Sequence, residues 1–131
     1  KTGFKKISVF NRDFSKIKNL KNISPHKLHE IEDHFKEADL VINATPIGMS
    51  HTAEKQKFPI EPNLLSKGQL AVDLIYHPIS TPWLEELKKR GVEAHGGLSM
   101  LIFQAARAFK LWTGQQAPLV AMRKAALKKI Q

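Results

Sequence analysis

At 131 residues the chain has room for one domain with a real core and no more. Hydrophobic residues at 42% and charged residues at 25% describe an ordinary globular composition. The absence of cysteine excludes disulfides, thiolate catalysis and zinc–thiolate sites, and fits a reducing, cytoplasmic setting. No apolar run approaches membrane length and no signal-peptide pattern opens the sequence, so no membrane partner is expected.

The net charge of +9 asks for a partner. Its lysines are dispersed, from Lys5 and Lys6 through Lys16, Lys18 and Lys21 to Lys88, Lys89, Lys128 and Lys129. A nucleic-acid binder concentrates such charge on one face among aromatics, so these residues read as solvated surface and no nucleic-acid partner is expected. A phosphorylated small ligand is an equally good sink for a few of them.

In chain order, Ile7-Ser8-Val9-Phe10 is a β-rich run ending in Asn11-Arg12, a strand entering a loop. Ser24-Pro25 reads as an N-cap with proline at the first helical position, and Leu28, Ile31 and Phe35 follow at helical spacing, predicting a helix over 25–37. Asp39 to Asn43 is a buried strand, followed by the loop Ala44-Thr45-Pro46-Ile47-Gly48. The stretch 50–67 is a polar surface excursion with a helical turn near Pro62 to Leu65. Gln69 to Ile75 is a second buried strand, stopped by Tyr76-His77-Pro78.

Thr81-Pro82 caps a helix that ends in Lys88-Lys89-Arg90, with Gly91 as terminator. Val92 to Ala94 is a short strand, then Gly96-Gly97 opens a helix to about Thr113-Gly114. On that helix Gly97, Met100, Gln104 and Arg107 share a stripe, beside an apolar face of Leu98, Leu101, Ile102, Ala105, Phe109 and Trp112. Pro118 starts a last amphipathic helix. Strands alternating with helices imply a mostly parallel α/β sheet whose ligands sit at the carboxyl ends of strands. The notable loops, Asn11-Arg12, Asn43-Ala44-Thr45, Tyr76 and Gly96-Gly97, all follow strands.

Together these segments resemble the cofactor-binding domain of shikimate dehydrogenases. The matching pieces are Asn11-Arg12, Asn43 to Met49, Asp73 to Pro78 with Thr81, Gly97 to Ala105 and Ala108 to Gly114. The resemblance runs through nearly the whole chain. It implies an α/β, Rossmann-like domain over 1–131, partial and incomplete at its N-terminal end, with helices over about 98–130 packing back toward a missing substrate domain. It further implies an NADP-dependent oxidoreductase interconverting 3-dehydroshikimate and shikimate in aromatic amino acid biosynthesis, with a homodimer allowed.

By the same resemblance Asn11 and Arg12 would contact the adenosine 2′-phosphate, with Lys16 adding charge to the patch. An arginine after a strand suits a bidentate phosphate grip, whereas NAD-preferring folds usually place an acid near the ribose. Asp13 stands where threonine or serine is commoner in the family. Ala44 and Thr45 would pass under the nicotinamide half, and Leu74, Gly97 and Met100 would line its pocket. Tyr76 and Gln104 would hydrogen-bond the substrate. Ser99 replaces a family glycine.

A dinucleotide fold needs a Gly-rich turn between its first strand and helix, and none is present. Lys1 to Phe4 reads as the tail of that helix. The absent strand would be central, between those at 7–10 and 39–43, leaving two edges unpaired. The family's catalytic residues belong to the substrate domain, so no catalytic residue is assigned here, and the segment alone is expected to be inactive.

The histidines offer a competing chemistry, but His29 and His34 diverge around their predicted helix and no acid or cysteine completes a metal set. Two alternatives remain in view: an NAD-using quinate/shikimate paralogue, which Arg12 argues against, and a non-enzymatic basic module that binds polyanions.

Overall fold

The computed structural model describes Gly3 and residues 5–130, so the helix tail expected at 1–4 lies, Gly3 apart, outside the described residues. The chain forms two compact units, Lys1–Ala38 and Asp39–Gln131.

In the first unit, β1 (Ser8–Asn11) pairs in parallel with β2 (Ser24–Lys27), placing Val9 beside Pro25 and Asn11 beside Lys27. A short 3-10 turn, Phe14–Lys16, follows β1, and a 3-10 helix, Leu28–Glu37, follows β2. The helix expected over 25–37 is thereby corrected at its start: Ser24-Pro25 is strand, and the helical winding begins at Leu28. An edge strand accepts proline as readily as a helix start does. The Ser24 amide donates to the Ile7 carbonyl at 2.7 Å, so the alternating nitrogen of Pro25 faces away from β1 and no ladder bond is lost. Ile17 and Phe35 are the buried anchors of this unit. His26, placed on β2 rather than on the helix, stacks on Phe10 and lies 4.2 Å from His34, ring to ring.

In the second unit, β3 (Leu40–Asn43), β4 (Leu70–Asp73) and β5 (Glu93–His95) form a parallel sheet in the order β3-β4-β5. Helix α1 (Pro82–Lys89) joins β4 to β5, and α2 (Leu98–Thr113) and α3 (Leu119–Ile130) follow. One sheet face buries Val41, Ala71 and Ala94, and Trp83, Leu84 and Leu87 of α1 are fully buried. Full burial of such side chains contributes about 1.5–3 kcal/mol each. Thr81 caps α1 through its hydroxyl, which accepts from the Leu84 amide, and the basic pair Lys88-Lys89 lies at the negative helix end.

One burial expectation is corrected. Ile42 is 52% exposed, so β3 is buried on one face only: alternation sends Val41 and Asn43 inward and Ile42 outward. On α2, Leu98 and Ile102 are buried, but Ala105 is exposed and Trp112 is 85% exposed. The apolar stripe continues past the point where this unit has anything to cover it. Gly114, at φ 73°, ends α2 in the left-handed conformation expected of a terminating glycine.

Among the described residues β1 has one strand neighbour and β3 has one, on its β4 side. No helix among the described residues is long and apolar enough to cross a membrane.

Candidate cofactor and substrate site

Because β3, β4 and β5 run parallel, their carboxyl ends share one edge, and Asn43, Asp73 and His95 end the strands there. Three of the loops singled out in the sequence leave from this edge: Ala44-Thr45, Leu74 to Tyr76, and Gly96-Gly97.

The edge is organised by a buried polar network that the sequence reading missed. Asn43 and Asp73 are register partners on β3 and β4. Asn43 Nδ2 donates to Asp73 Oδ1 at 3.0 Å, and Asn43 Oδ1 accepts from both the amide and the hydroxyl of Thr45. Asp73 Oδ1 also accepts from the Ile75 amide at 3.1 Å, while Oδ2 accepts from the Thr81 hydroxyl at 2.8 Å. All three side chains are essentially inaccessible to solvent. Burial pushes the Asp73 carboxyl above the usual aspartate range, and the bonds from Ile75, Thr81 and Asn43 partly offset that push. The network fixes the first residues of two loops and the start of α1. A readable signal existed: a polar residue ending each of two apolar strands.

Gly97 takes its place for a reason different from ligand access. It has ordinary helical dihedrals, but a Cβ there would lie 2.1 Å from the Leu74 carbonyl oxygen, and its amide donates to the Ile75 carbonyl at 2.8 Å. What approaches this glycine is the protein's own strand exit. Gly96 is similarly tight, with a Cβ 2.8 Å from the Ile79 carbonyl oxygen.

Of the remaining residues expected at this edge, Ala44 and Thr45 are exposed and Leu74 is half-buried. Met100 is 48% exposed and Gln104 is exposed, both on α2 beyond buried Gly97. Tyr76 lines a cavity of about 410 Å3 with His51, His77 and Lys129. Gln104 and Met100 are not among the described residues lining that cavity.

In the first unit, Arg12 lines a separate cavity of about 460 Å3 together with Phe14, Lys27, Leu28 and His29. Asn11 closes β1, and its Oδ1 accepts from the Asp13 amide at 2.9 Å. Asp13 in turn accepts from the amide and hydroxyl of Ser15 and pairs with Lys16 at 3.8 Å. Those interactions, the Ser15 hydroxyl first, hold its carboxyl below the usual range. Lys16 is therefore turned to Asp13 and is absent from the described lining of the Arg12 cavity. Among the described residues no group of three or more histidines and acids is placed to hold a metal ion.

Residues 97–127, running from the Gly97 contact through α3, match the family described as Shikimate 5'-dehydrogenase C-terminal domain. The shikimate dehydrogenase (NADP(+)) of Archaeoglobus fulgidus is 38% identical over 104 residues, 79% of this chain and 38% of that protein. The chain belongs to the shikimate dehydrogenase family.

Two solved structures extend the likeness to the fold. Quinate dehydrogenase from Corynebacterium glutamicum, in complex with NAD, superposes with a TM-score of 0.85 at 30% identity, covering 96% of this chain and 47% of that one. Shikimate 5-dehydrogenase from Thermus thermophilus, in complex with NADP(H) and shikimate, gives 0.77 at 31%, covering 94% and 46%. The chain thus spans less than half the length of these two proteins, and parallel sheets flanked by helices are the architecture it shares with them.

Proposed function

We propose that this chain is the NADP-binding part of a shikimate dehydrogenase, supplying cofactor contacts and some substrate contacts for the interconversion of 3-dehydroshikimate and shikimate. The observation that carries the cofactor reading is the Arg12 cavity. A guanidinium just past the carboxyl end of β1, in one cavity with the apolar side chains of Phe14 and Leu28, fits an adenosine whose ribose bears a phosphate. Asp13, the nearby acid that would serve ribose hydroxyls in an NAD enzyme, is committed to Ser15 and Lys16.

Bound nicotinamide would supply or accept the hydride at the substrate's keto carbon. The chain's own part is to hold and orient. The Asn43–Asp73–Thr81 network sets the backbone of Thr45 and Ile75. Gly97 lets α2 start close against Leu74, so that Leu74, Gly97 and Met100 border the nicotinamide. Tyr76 and Gln104 present a hydroxyl and an amide to the substrate. The exposed apolar side chains of α2 and α3, Phe103, Leu111, Trp112 and Val120, support packing of the helices over 98–130 against a substrate domain.

An NAD-using quinate paralogue is favoured by one observation, the likeness to the Corynebacterium enzyme. Steady-state comparison of NADPH and NADH with the full-length polypeptide separates the two readings. A strong NADPH preference that falls about tenfold or more on Arg12→Ala is expected, the size of a lost charge-assisted contact. Equal efficiency with both cofactors would exclude the 2′-phosphate assignment.

A further inference from the structure

We infer that Lys129, near the end of α3, pairs with the carboxylate of the substrate and so helps select the ring compounds that the site accepts. This rests on the shikimate reading above and adds a charged contact to it. The observation behind it is the cavity of about 410 Å3 that Tyr76 lines. Its walls come from separate stretches of the second unit: the loop after β3, the exit of β4, α2 and the last turns of α3. Ala126, Lys129 and Ile130 share one helix face by three- and four-residue spacing, and this is the face that α3 turns to the cavity. The neighbouring Lys128 does not line it.

The lining holds a single permanent charge. Lys129 is its one lysine or arginine among the described residues, and no aspartate or glutamate joins it. The helices supply no counter-ion either: no acid follows Glu93 in the chain, so α2 and α3 carry none. Among the described residues the lysines that form ion pairs are Lys6, Lys16, Lys57 and Lys89, which leaves the Lys129 ammonium free. Met49, Leu101 and Ile130 give the same cavity its apolar surface. An ammonium and a phenol set among apolar side chains suit a carboxylate carried on a carbon ring. Shikimate and 3-dehydroshikimate each carry one carboxylate and no other charge. Lys129 is exposed, so the pair is a solvent-facing one and its worth is that of a screened contact.

The test uses the full-length polypeptide, with shikimate and its uncharged methyl ester as paired probes in steady state. Lys129→Gln is expected to raise KM for shikimate about three- to fivefold, the upper range of an exposed ion pair, and to leave kcat and KM for NADP+ unchanged. The same variant should leave KM for the methyl ester at the parent value. Lys129→Arg should stay close to the parent with both probes, which separates charge from packing. Lys128→Gln removes an equal charge one residue away and should change neither KM. Added salt should shrink the difference between parent and Lys129→Gln.

If Lys129→Gln keeps the parent KM for shikimate, or raises the two KM values equally, the inference falls and the shikimate reading stands. An equal effect of Lys128→Gln overturns it too, because the charge would then act at a distance and not in the cavity. If the parent protein oxidises neither probe, the shikimate reading fails and takes the inference with it.

Discussion

Asp73 closes β4 with no accessible surface, surrounded by donors from Asn43, Ile75 and Thr81, while Asp13 stands two residues past β1 in solvent, holding Ser15 and Lys16. Both stand at the carboxyl end of a strand, yet their environments push their acidities apart. Burial raises Asp73; local hydrogen bonding, led by the Ser15 hydroxyl, lowers Asp13. A buried carboxylate must be satisfied by partners brought from elsewhere in the chain, so it ties two strands, a loop and a helix start together. An exposed cap is satisfied by its next neighbours and fixes only its own turn. The second unit's edge is therefore expected to stand or fall as one piece, and the first unit's edge to be adjustable residue by residue.

Removing the buried acid should have the largest effect. Asp73→Ala strips the acceptor from three donors that stay buried, and an unsatisfied donor costs about 1–3 kcal/mol. A loss of roughly 3 kcal/mol or more in urea unfolding of the full-length polypeptide is expected on that basis, with Asp73→Asn costing less because it keeps one acceptor. A loss below about 1 kcal/mol would mean that the network is not what holds the edge.

Next comes the glycine pair. Gly97→Ala drives a methyl against the Leu74 carbonyl, a backbone group that cannot rotate away as a flexible side chain would. The expected cost is about 1–3 kcal/mol, with a rise in nicotinamide-cofactor KM because α2 must move from the β4 exit. Gly96→Ala, at 2.8 Å from the Ile79 carbonyl, should cost less. The reverse order would show that the Leu74 contact relaxes more easily than its distance suggests.

The strands other than β2, the cap and terminator of α1 and the glycine stop of α2 were legible because each is a local matter of periodicity, turn chemistry and helix ends. Ser24-Pro25 was misread because a proline with a free-facing nitrogen suits an edge strand and a helix start equally, and only the pairing with β1 separates them. Asn43 and Asp73 lie thirty residues apart, so their bond depends on a strand register that no local pattern encodes. The place of Lys27 beside Asn11 is hidden for the same reason. Lys16 stands close to Arg12 in sequence, and its pairing with Asp13 at 3.8 Å is equally local. Gly97 was visible as important, but whether ligand or backbone approached it was a tertiary fact.

The pH response gives a smaller and more selective test. For Asp73 the folded pKa is raised, so between the unfolded value of about 3.9 and the folded one the native state holds more protons. Stability then falls as pH rises through that window, and Asp73→Asn should remove the slope. For Asp13 the folded pKa is lowered, so its contribution is present above the unfolded value and is lost as pH falls through the folded one. Acid titrations of the two Asp→Asn variants, followed by urea midpoint, should therefore deviate from the parent in opposite directions. Deviations of the same sign would mean that burial does not dominate at Asp73.

The smallest effect is expected at Asp13 itself, and it is the one that joins stability to cofactor choice. Asparagine caps a helical turn about as well as aspartate, so Asp13→Asn should keep the bonds to Ser15 and leave the neutral-pH melting temperature almost unchanged. What it removes is the negative charge beside Lys16 and close to Arg12. If Asp13 is only a cap, KM for NADPH and for NADH will both stay at the parent value. If its charge also tempers the phosphate subsite, NADPH alone will bind more tightly, by about two- to threefold, the scale of one exposed charge, and the gain will fade with added salt. Repeating the measurement in Lys16→Gln separates the routes. A gain that survives comes from relief of Arg12, whereas a gain that disappears comes from a released Lys16 reaching the phosphate.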